Sequence, residues 1–280
     1  MEIADGLLRC NHKTSMKLRH KLTGMGKTFA CLVLAVIASA DAGAGRIVFE
    51  SGAKRVSLLE LYTSEGCRSC PPADGWLAGL MDSPGLWNDF VPLAFHVDYW
   101  NSLGWKDRWS SPEFSSRQNT YAQFWHSPNV YTPCFVLNGK EWRGWSSRRK
   151  VLPTAGEHVG VLVAISTDTN HWNVSFVPIP TANSEYEAHA ALLACGLSSD
   201  VKAGENTGRH LQHEFVVLSL TQTGMTISNG LARGSFILAP PPHDLENILA
   251  LTVWVTPAGQ LEPIQAAGGW LDPAVKPVKH

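Results

Sequence analysis

The sequence predicts an α/β domain followed by a mostly antiparallel β domain. Three observations lead there. A strand-like run, Val56 to Tyr62, passes through Thr63-Ser64-Glu65-Gly66 into a helix-like run opening with Cys67-Arg68-Ser69-Cys70-Pro71-Pro72. A second strand-like run, Val91 to Tyr99, leads to a helical stretch over Ser111 to Trp125 and then to a proline-led strand. From residue 160 onward the pattern becomes repeated short strand-like runs separated by turn residues, as in an antiparallel sheet or sandwich.

The first helix is justified by spacing. Ala73, Trp76, Leu77, Leu80 and Met81 recur at helical intervals and form one apolar face. Pro71 and Pro72 suit a first turn, where a missing N–H costs nothing. Gly75 and Gly79 weaken the helix, so tertiary packing must hold it. The second helix starts at Ser111-Pro112-Glu113, with a proline near its first position, and Phe114, Tyr121, Phe124 and Trp125 supply its apolar side. Tyr131–Leu137 and Lys140–Trp145 flank Asn138-Gly139, a strong hairpin signal. A helix around Ser147 to His158 would close this unit. Beyond it, strand-like runs lie at Val161–Ile165, Trp172–Phe176, Tyr186–Cys195, Glu214–Leu220, Gly234–Ala239, Ile248–Val255 and Glu262–Ala267. The domain boundaries expected are 54–158 and 159–280.

The N-terminus reads as a signal peptide over residues 1–44. Lys17, Arg19, Lys21 and Lys27 form a basic region, Phe29 to Ala40 is an uncharged apolar run, and small residues at 40–44 offer cleavage-type spacing. Met16 or Met25 offers an alternative start. The apolar run is twelve residues, short of the ~20 that span a bilayer as a helix, so the mature chain is expected to have no stable membrane span. A short buried helix is the alternative. Export places cysteines where disulfides persist. Without residues 1–42, which carry six Lys/Arg and three Asp/Glu, the net charge moves from −1 to −4. A mildly acidic chain with no basic stripe is not expected to bind nucleic acid.

Cys67 and Cys70 are the candidate catalytic pair. A helix N-terminus offers unpaired N–H groups and the positive end of the macrodipole, so a thiolate there is stabilised and becomes nucleophilic near neutral pH. The second sulfur is close enough to close a disulfide and exchange electrons with a partner's thiols. Three readings of the pair stand: a redox couple, a soft metal site, and a structural disulfide. Spacing and helix-start context favour the first. Arg68 should lower the thiolate pKa and Glu65 should oppose it. Cys67, ahead of the helix, is expected to be the more exposed and the attacking sulfur, with Cys70 resolving.

Other residues have weaker claims. His96 and Asp98 share a strand face, where they could shuttle protons, complete a copper(I) or zinc site with the cysteines, or simply satisfy the loop Tyr99–Trp105. Glu60 could take a proton from the resolving thiol or form a salt bridge. Asp74 is expected to support the helix start. Cys134 and Cys195 read as small buried hydrophobes, a bridge between them being the lesser reading.

The order strand, CxxC helix, strand, helix, Pro-strand, hairpin strand, helix resembles the thioredoxin fold, carried by Cys67-Arg68-Ser69-Cys70 and Thr132-Pro133. The resemblance implies that Pro133 is cis and faces the CxxC, where it would dock a partner's cysteine segment. Longer runs narrow the match: Glu60–Asp74, His96–Asn101 with Leu103–Asp107, Tyr131-Thr132-Pro133 with Asn138-Gly139, and Gly204–Leu211. They resemble an uncharacterised secreted thioredoxin-like family of bacteria, domain of unknown function 1223, over roughly residues 55–270. Cys134 departs from it, since a polar residue is expected after the proline. The function expected is a secreted or periplasmic thiol–disulfide oxidoreductase acting on protein thiols and disulfides, with Cys67, Cys70 and Pro133 as catalytic residues and no cofactor. The alternative is a non-enzymatic copper or zinc carrier, or a redox-silent adaptor, on a thioredoxin scaffold.

Overall fold

Strand dominates the described residues, at 44% against 14% helix. The computed structural model describes residues 46–147, 152–168, 170–180, 185–272 and 274. The expected signal segment 1–44 lies outside the described residues. Fourteen strands occur among the described residues, in chain order. They are β1 Val48–Glu50, β2 Ser57–Thr63, β3 Phe90–His96, β4 Cys134–Leu137, β5 Lys140–Glu141, β6 Gly160–Ser166 and β7 His171–Pro178. Then come β8 Tyr186–Cys195, β9 Leu197–Asp200, β10 His210–His213, β11 Val216–Ser228, β12 Leu231–Ile237, β13 Ile248–Pro257 and β14 Gln265–Trp270. Two α-helices accompany them, α1 Pro71–Ala78 and α2 Pro112–Phe124.

This overturns the expected α/β thioredoxin-like domain followed by a mostly antiparallel β domain. A single mixed sheet of 12 strands runs through the chain, with β9 and β10 as a separate ribbon. β2 pairs with β3 in parallel and with β4 antiparallel. The sheet does not end at β3, because Val216 of β11 pairs beside Ala94 in parallel. β11 then continues antiparallel to β8, while its far end pairs with β12. β8 pairs with β13, and β13 with β14. Strand order within 54–146 suggested an α/β layer; long-range pairing of β3 with β11 makes that layer one end of a larger sheet. The helix expected over Ser147–His158 is not formed at 152–157, and 148–151 lie outside the described residues.

β8 and β13 show why the sheet stays together. On β8, Ala191, Leu193 and Cys195 face one core, while Tyr186, Ala188 and Ala190 face another. On β13, Ala250 and Trp254 join the first core, and Leu251, Val253 and Val255 the second. Alternate side chains of a strand point to opposite faces, so this wall is buried on both sides and its sequence is mostly apolar. The first core also holds α1 and α2 against β2, β3 and β4, and the second lies between the wall and β6, β7 and β12.

Local chemistry sets the helix ends and the hairpin. Ser111 caps α2 by accepting the Glu113 N–H at 3.2 Å, and Pro112 follows it. The β4–β5 turn places Asn138 and Gly139 at φ 49° and 80°, the positive values a tight two-residue hairpin turn demands.

A buried ion pair clamps α2 to β2. Arg117 donates to Glu60 through Nε at 2.8 Å and Nη2 at 3.1 Å. The Tyr62 and Tyr121 hydroxyls also donate to this carboxylate. Burial raises both tyrosines well above their usual pKa, and the Glu60 charge adds to this. Arg117→Met would strand the Glu60 carboxylate among apolar neighbours, at a cost of about 3–5 kcal/mol in denaturant unfolding. Glu60→Met combined with Arg117→Met should lose less than Arg117→Met alone, because no uncompensated charge remains.

Candidate functional site

The sulfurs lie at the junction the sequence indicated. Cys70 has helical φ and ψ at the N-cap of α1, with Pro71 and Pro72 in the first turn. Cys67 and Cys70 are joined as a disulfide, their Cα atoms 5.4 Å apart. Cys134 and Cys195 are free and buried, and burial pushes the Cys134 thiol up to about 12. The Thr132–Pro133 bond is cis. The carbonyl of Thr132 accepts from the Ser69 hydroxyl at 3.5 Å, which brings the proline loop beside the CxxC.

The greater exposure expected for Cys67 is absent: both cysteines are 0% exposed, while Arg68 and Ser69 between them face solvent. The loop joining β9 to β10 is fastened against this segment. The Asn206 side-chain amide donates to the Glu65 carbonyl at 2.8 Å and the Cys67 carbonyl at 2.9 Å. Arg209 orients that amide by donating to Asn206 Oδ1 at 3.0 Å. The Glu205 carboxylate accepts the Arg68 N–H at 3.1 Å. Gly204 lets the loop approach; at φ 76° a Cβ here would sit 3.3 Å from the Trp105 Cβ. The loop Gly204–Leu211 therefore borders the CxxC.

Beside the disulfide lies a buried polar cluster that the sequence did not bring together. His96 Nδ1 and Asp107 Oδ2 are 2.7 Å apart. Asp107 also accepts the Glu65 and Trp109 N–H groups. Glu65 accepts from Trp105 Nε1 at 2.6 Å and lies 3.3 Å from His213 Nε2. The His96 and His213 rings meet edge to face at 4.9 Å. Glu65, His96, Asp107 and His213 are each at most 2% exposed. Burial opposes the His96 imidazolium, but the Asp107 charge and hydrogen bond outweigh it, with Asp74 and Glu65 helping, so the ring's pKa is raised. Burial likewise opposes the Asp107 carboxylate, yet His96 and the two backbone N–H groups hold its pKa below the usual value.

The remaining candidates resolve differently. Asp98 ties its loop to α2, its Oδ1 accepting from the Ser115 hydroxyl, and takes no part beside His96. Glu60 is fully engaged by Arg117, Tyr62 and Tyr121. His213 carried no sequence signal, because its partners Glu65 and His96 lie more than a hundred residues away. Among the described residues, no group of three or more His, Cys, Asp or Glu is arranged to hold a metal ion.

Two outcomes follow from this geometry. Asn206→Ala removes two hydrogen bonds to buried carbonyls and should cost about 2 kcal/mol in all; it should also speed alkylation of the reduced cysteines, read by mass spectrometry. The His96–Asp107 pair sets a pH window. His96, with its raised folded pKa, contributes fully below about pH 6.5 and less as pH rises through that folded value. Asp107, with its lowered pKa, contributes above about pH 4 and less as pH falls. Urea midpoints should peak between these limits, and Asp107→Asn should flatten both limbs.

Comparison with known proteins places the chain in a family. No curated protein matches it. Two solved structures share its fold: an X-ray structure of a protein from Agrobacterium tumefaciens, and HBP35 of Porphyromonas gingivalis. The first is 22% identical, with a TM-score of 0.55 over 81% of this chain and 99% of that one. The second is 12% identical, with a TM-score of 0.52 over 82% of this chain and 81% of that one. Among the described residues no helix is long and apolar enough to cross a membrane. Residues 58–255 of the 280 match the model of a family of proteins of unknown function, and the chain belongs to that family, DUF1223.

Proposed function

We propose that the protein is an exported thiol–disulfide oxidoreductase in which Cys67 and Cys70 cycle between disulfide and dithiol. The observation that carries this reading is the closed disulfide at the N-terminus of α1, with its second sulfur on a residue of helical conformation. Helix N–H groups and the macrodipole stabilise a thiolate at such a position, which makes it both a better leaving group and a nucleophile near neutral pH. Ionisable groups near the pair would give the chemistry a source of protons. Export is supported by the basic region and apolar run before Ala40.

In this reading the substrates are cysteine-bearing protein segments. A partner thiolate attacks Cys67, the sulfur–sulfur bond breaks, and Cys70 leaves. A second partner thiol then attacks the mixed disulfide, so the partner gains a disulfide as Cys67 and Cys70 become thiols. Pro133, next to Ser69 through Thr132, walls the sulfurs and receives the partner segment.

The test is the reduction potential of the Cys67/Cys70 couple against a glutathione series. A redox-active pair should equilibrate at a potential above about −300 mV; a structural staple lies below that and stays oxidised. Cys70→Ser should trap a mixed disulfide at Cys67 when the reduced protein meets an activated aromatic disulfide, seen as an added mass. A potential below the structural limit, with no trapped adduct, would sink the assignment.

A further inference from the structure

Opening a buried disulfide leaves a sulfur that cannot remain charged for long without water. The Cys70 sulfur is such a case, since Cys70 is fully buried. A proton must reach it, and most nearby acids are occupied. Glu60 is bound by Arg117 and two tyrosines, and Asp107 by His96 and two backbone N–H groups. Asp74 is the exception in position. Its N–H donates to the Cys70 carbonyl at 3.1 Å, so the two residues stand four apart on one helix. Residues so spaced are neighbours on the helix surface, with Cβ atoms about 5–6 Å apart.

We propose that Asp74 is the proton carrier of the couple, the general acid to Cys70 when the disulfide opens and the general base when it closes. The inference rests on the oxidoreductase reading above. Asp74, half-buried in the first turn of α1, stands one helical turn from Cys70 and faces the buried cluster. The groups facing it are Thr63 at the end of β2, Glu65 in the following loop, His96 on β3, Asp107 in the loop before α2, and His213 on β10, which packs against α1. Polar atoms there lack a hydrogen-bond partner, among them His96 Nε2 and His213 Nδ1, while Glu65 Oε1 faces His213 Nε2 at 3.3 Å. Open hydrogen-bonding capacity in one buried place suits groups that gain and lose protons. Desolvation raises the Asp74 carboxyl above its usual pKa, opposed by His213 and His96 and by the Thr63 hydroxyl. That moves the acid toward the range where it can both give and take a proton near neutrality.

The step balances as follows. A partner thiolate forms a bond to the Cys67 sulfur, and the bonding pair between Cys67 and Cys70 leaves on Cys70. Asp74 gives its proton to that thiolate and becomes a carboxylate. When the partner's second thiol attacks the mixed disulfide, its proton passes to Asp74. Cys67 leaves as a thiolate and is protonated by solvent. The partner is oxidised by two electrons, the disulfide is reduced by two, and Asp74 ends protonated as it began.

The test is the rate at which dithiothreitol reduces the full-length protein over about pH 4 to 9, for wild type and Asp74→Asn. Taking the ratio of the two rates at each pH cancels the reagent's own ionisation. The loss expected is up to about 10²-fold, the low end for general acid catalysis, greatest at acidic pH, with an unchanged melting temperature and partial recovery in Asp74→Glu. A second variant, His213→Gln, removes a neighbour that lowers the Asp74 pKa, so its acid limb should move to higher pH. Equal rates and equal pH profiles for Asp74→Asn and wild type overturn the inference, as does a His213→Gln limb that stays in place should Asp74→Asn fail to fold. A wild-type disulfide that dithiothreitol never reduces overturns the oxidoreductase reading itself, and this inference with it.

Discussion

A charge buried without a partner costs more than almost any packing gain can offset, and that constraint organises the helical face of this protein. Glu60 sits at the centre of a fully buried strand, β2. Only a bidentate arginine with two hydroxyl donors makes that position tolerable, and all three donors must arrive in register. Arg117 and Tyr121 both come from α2, one helical turn apart. The pair therefore fixes the rotation of α2 as well as its distance. Arg117 also lies over the rings of Phe95, Tyr121 and Trp254, tying β3 and the distant β13 to the same charge. His189 stacks on Trp254 behind it, and burial, then the Arg117 charge, drives its pKa down to about 3. The ring stays neutral and accepts the role of a flat spacer.

Much of the local structure was legible before any coordinates. Helical spacing marked α1 and α2, Ser111-Pro112 marked the start of α2, and Asn138-Gly139 marked the turn. Most strands after residue 160 followed from β-branched and aromatic runs. The architecture was not legible, because strand order in the sequence does not say where a sheet stops. Ala188–Cys195 and Leu249–Val255 are apolar at nearly every position, which is the mark of strands covered on both faces. Read that way, they required a partner layer on each side, and the α/β half was the only candidate for one of them. β1, β9 and β10 escaped because three- and four-residue strands carry too little pattern to stand above noise.

The site divided along the same line. Cys67, Cys70 and Pro133 were visible because each changes backbone or covalent chemistry locally. The groups around them were not, because their relation is purely tertiary. Glu65 looked like a charge opposing the thiolate, yet its carboxylate is turned to Trp105 and His213. His96 looked like the partner of Asp98, two residues on, but the intervening loop returns Asp107 to it instead. Strand periodicity puts two side chains on one face; it cannot say which of them the following loop will satisfy.

Burial of both sulfurs decides how the site can work. The loop between β9 and β10 lies against the disulfide segment, held by the Asn206 carboxamide and by the Glu205 carboxylate on the Arg68 N–H. Asn206 contributes two donors to two carbonyls, one on each side of Gly66. It is itself buried, and its acceptor oxygen is taken by Arg209. Such an amide is specific in orientation but modest in energy, each bond netting about 1 kcal/mol. The ionisable cluster is held by the His96–Asp107 and Glu65–Trp105 hydrogen bonds, neither of which involves that loop. A large molecule reaching the sulfurs would therefore displace the loop and leave the cluster in place. In the cycle proposed above, access would rest with the loop between β9 and β10, and proton transfer with the end of β3, the loop before α2 and the first turn of α1.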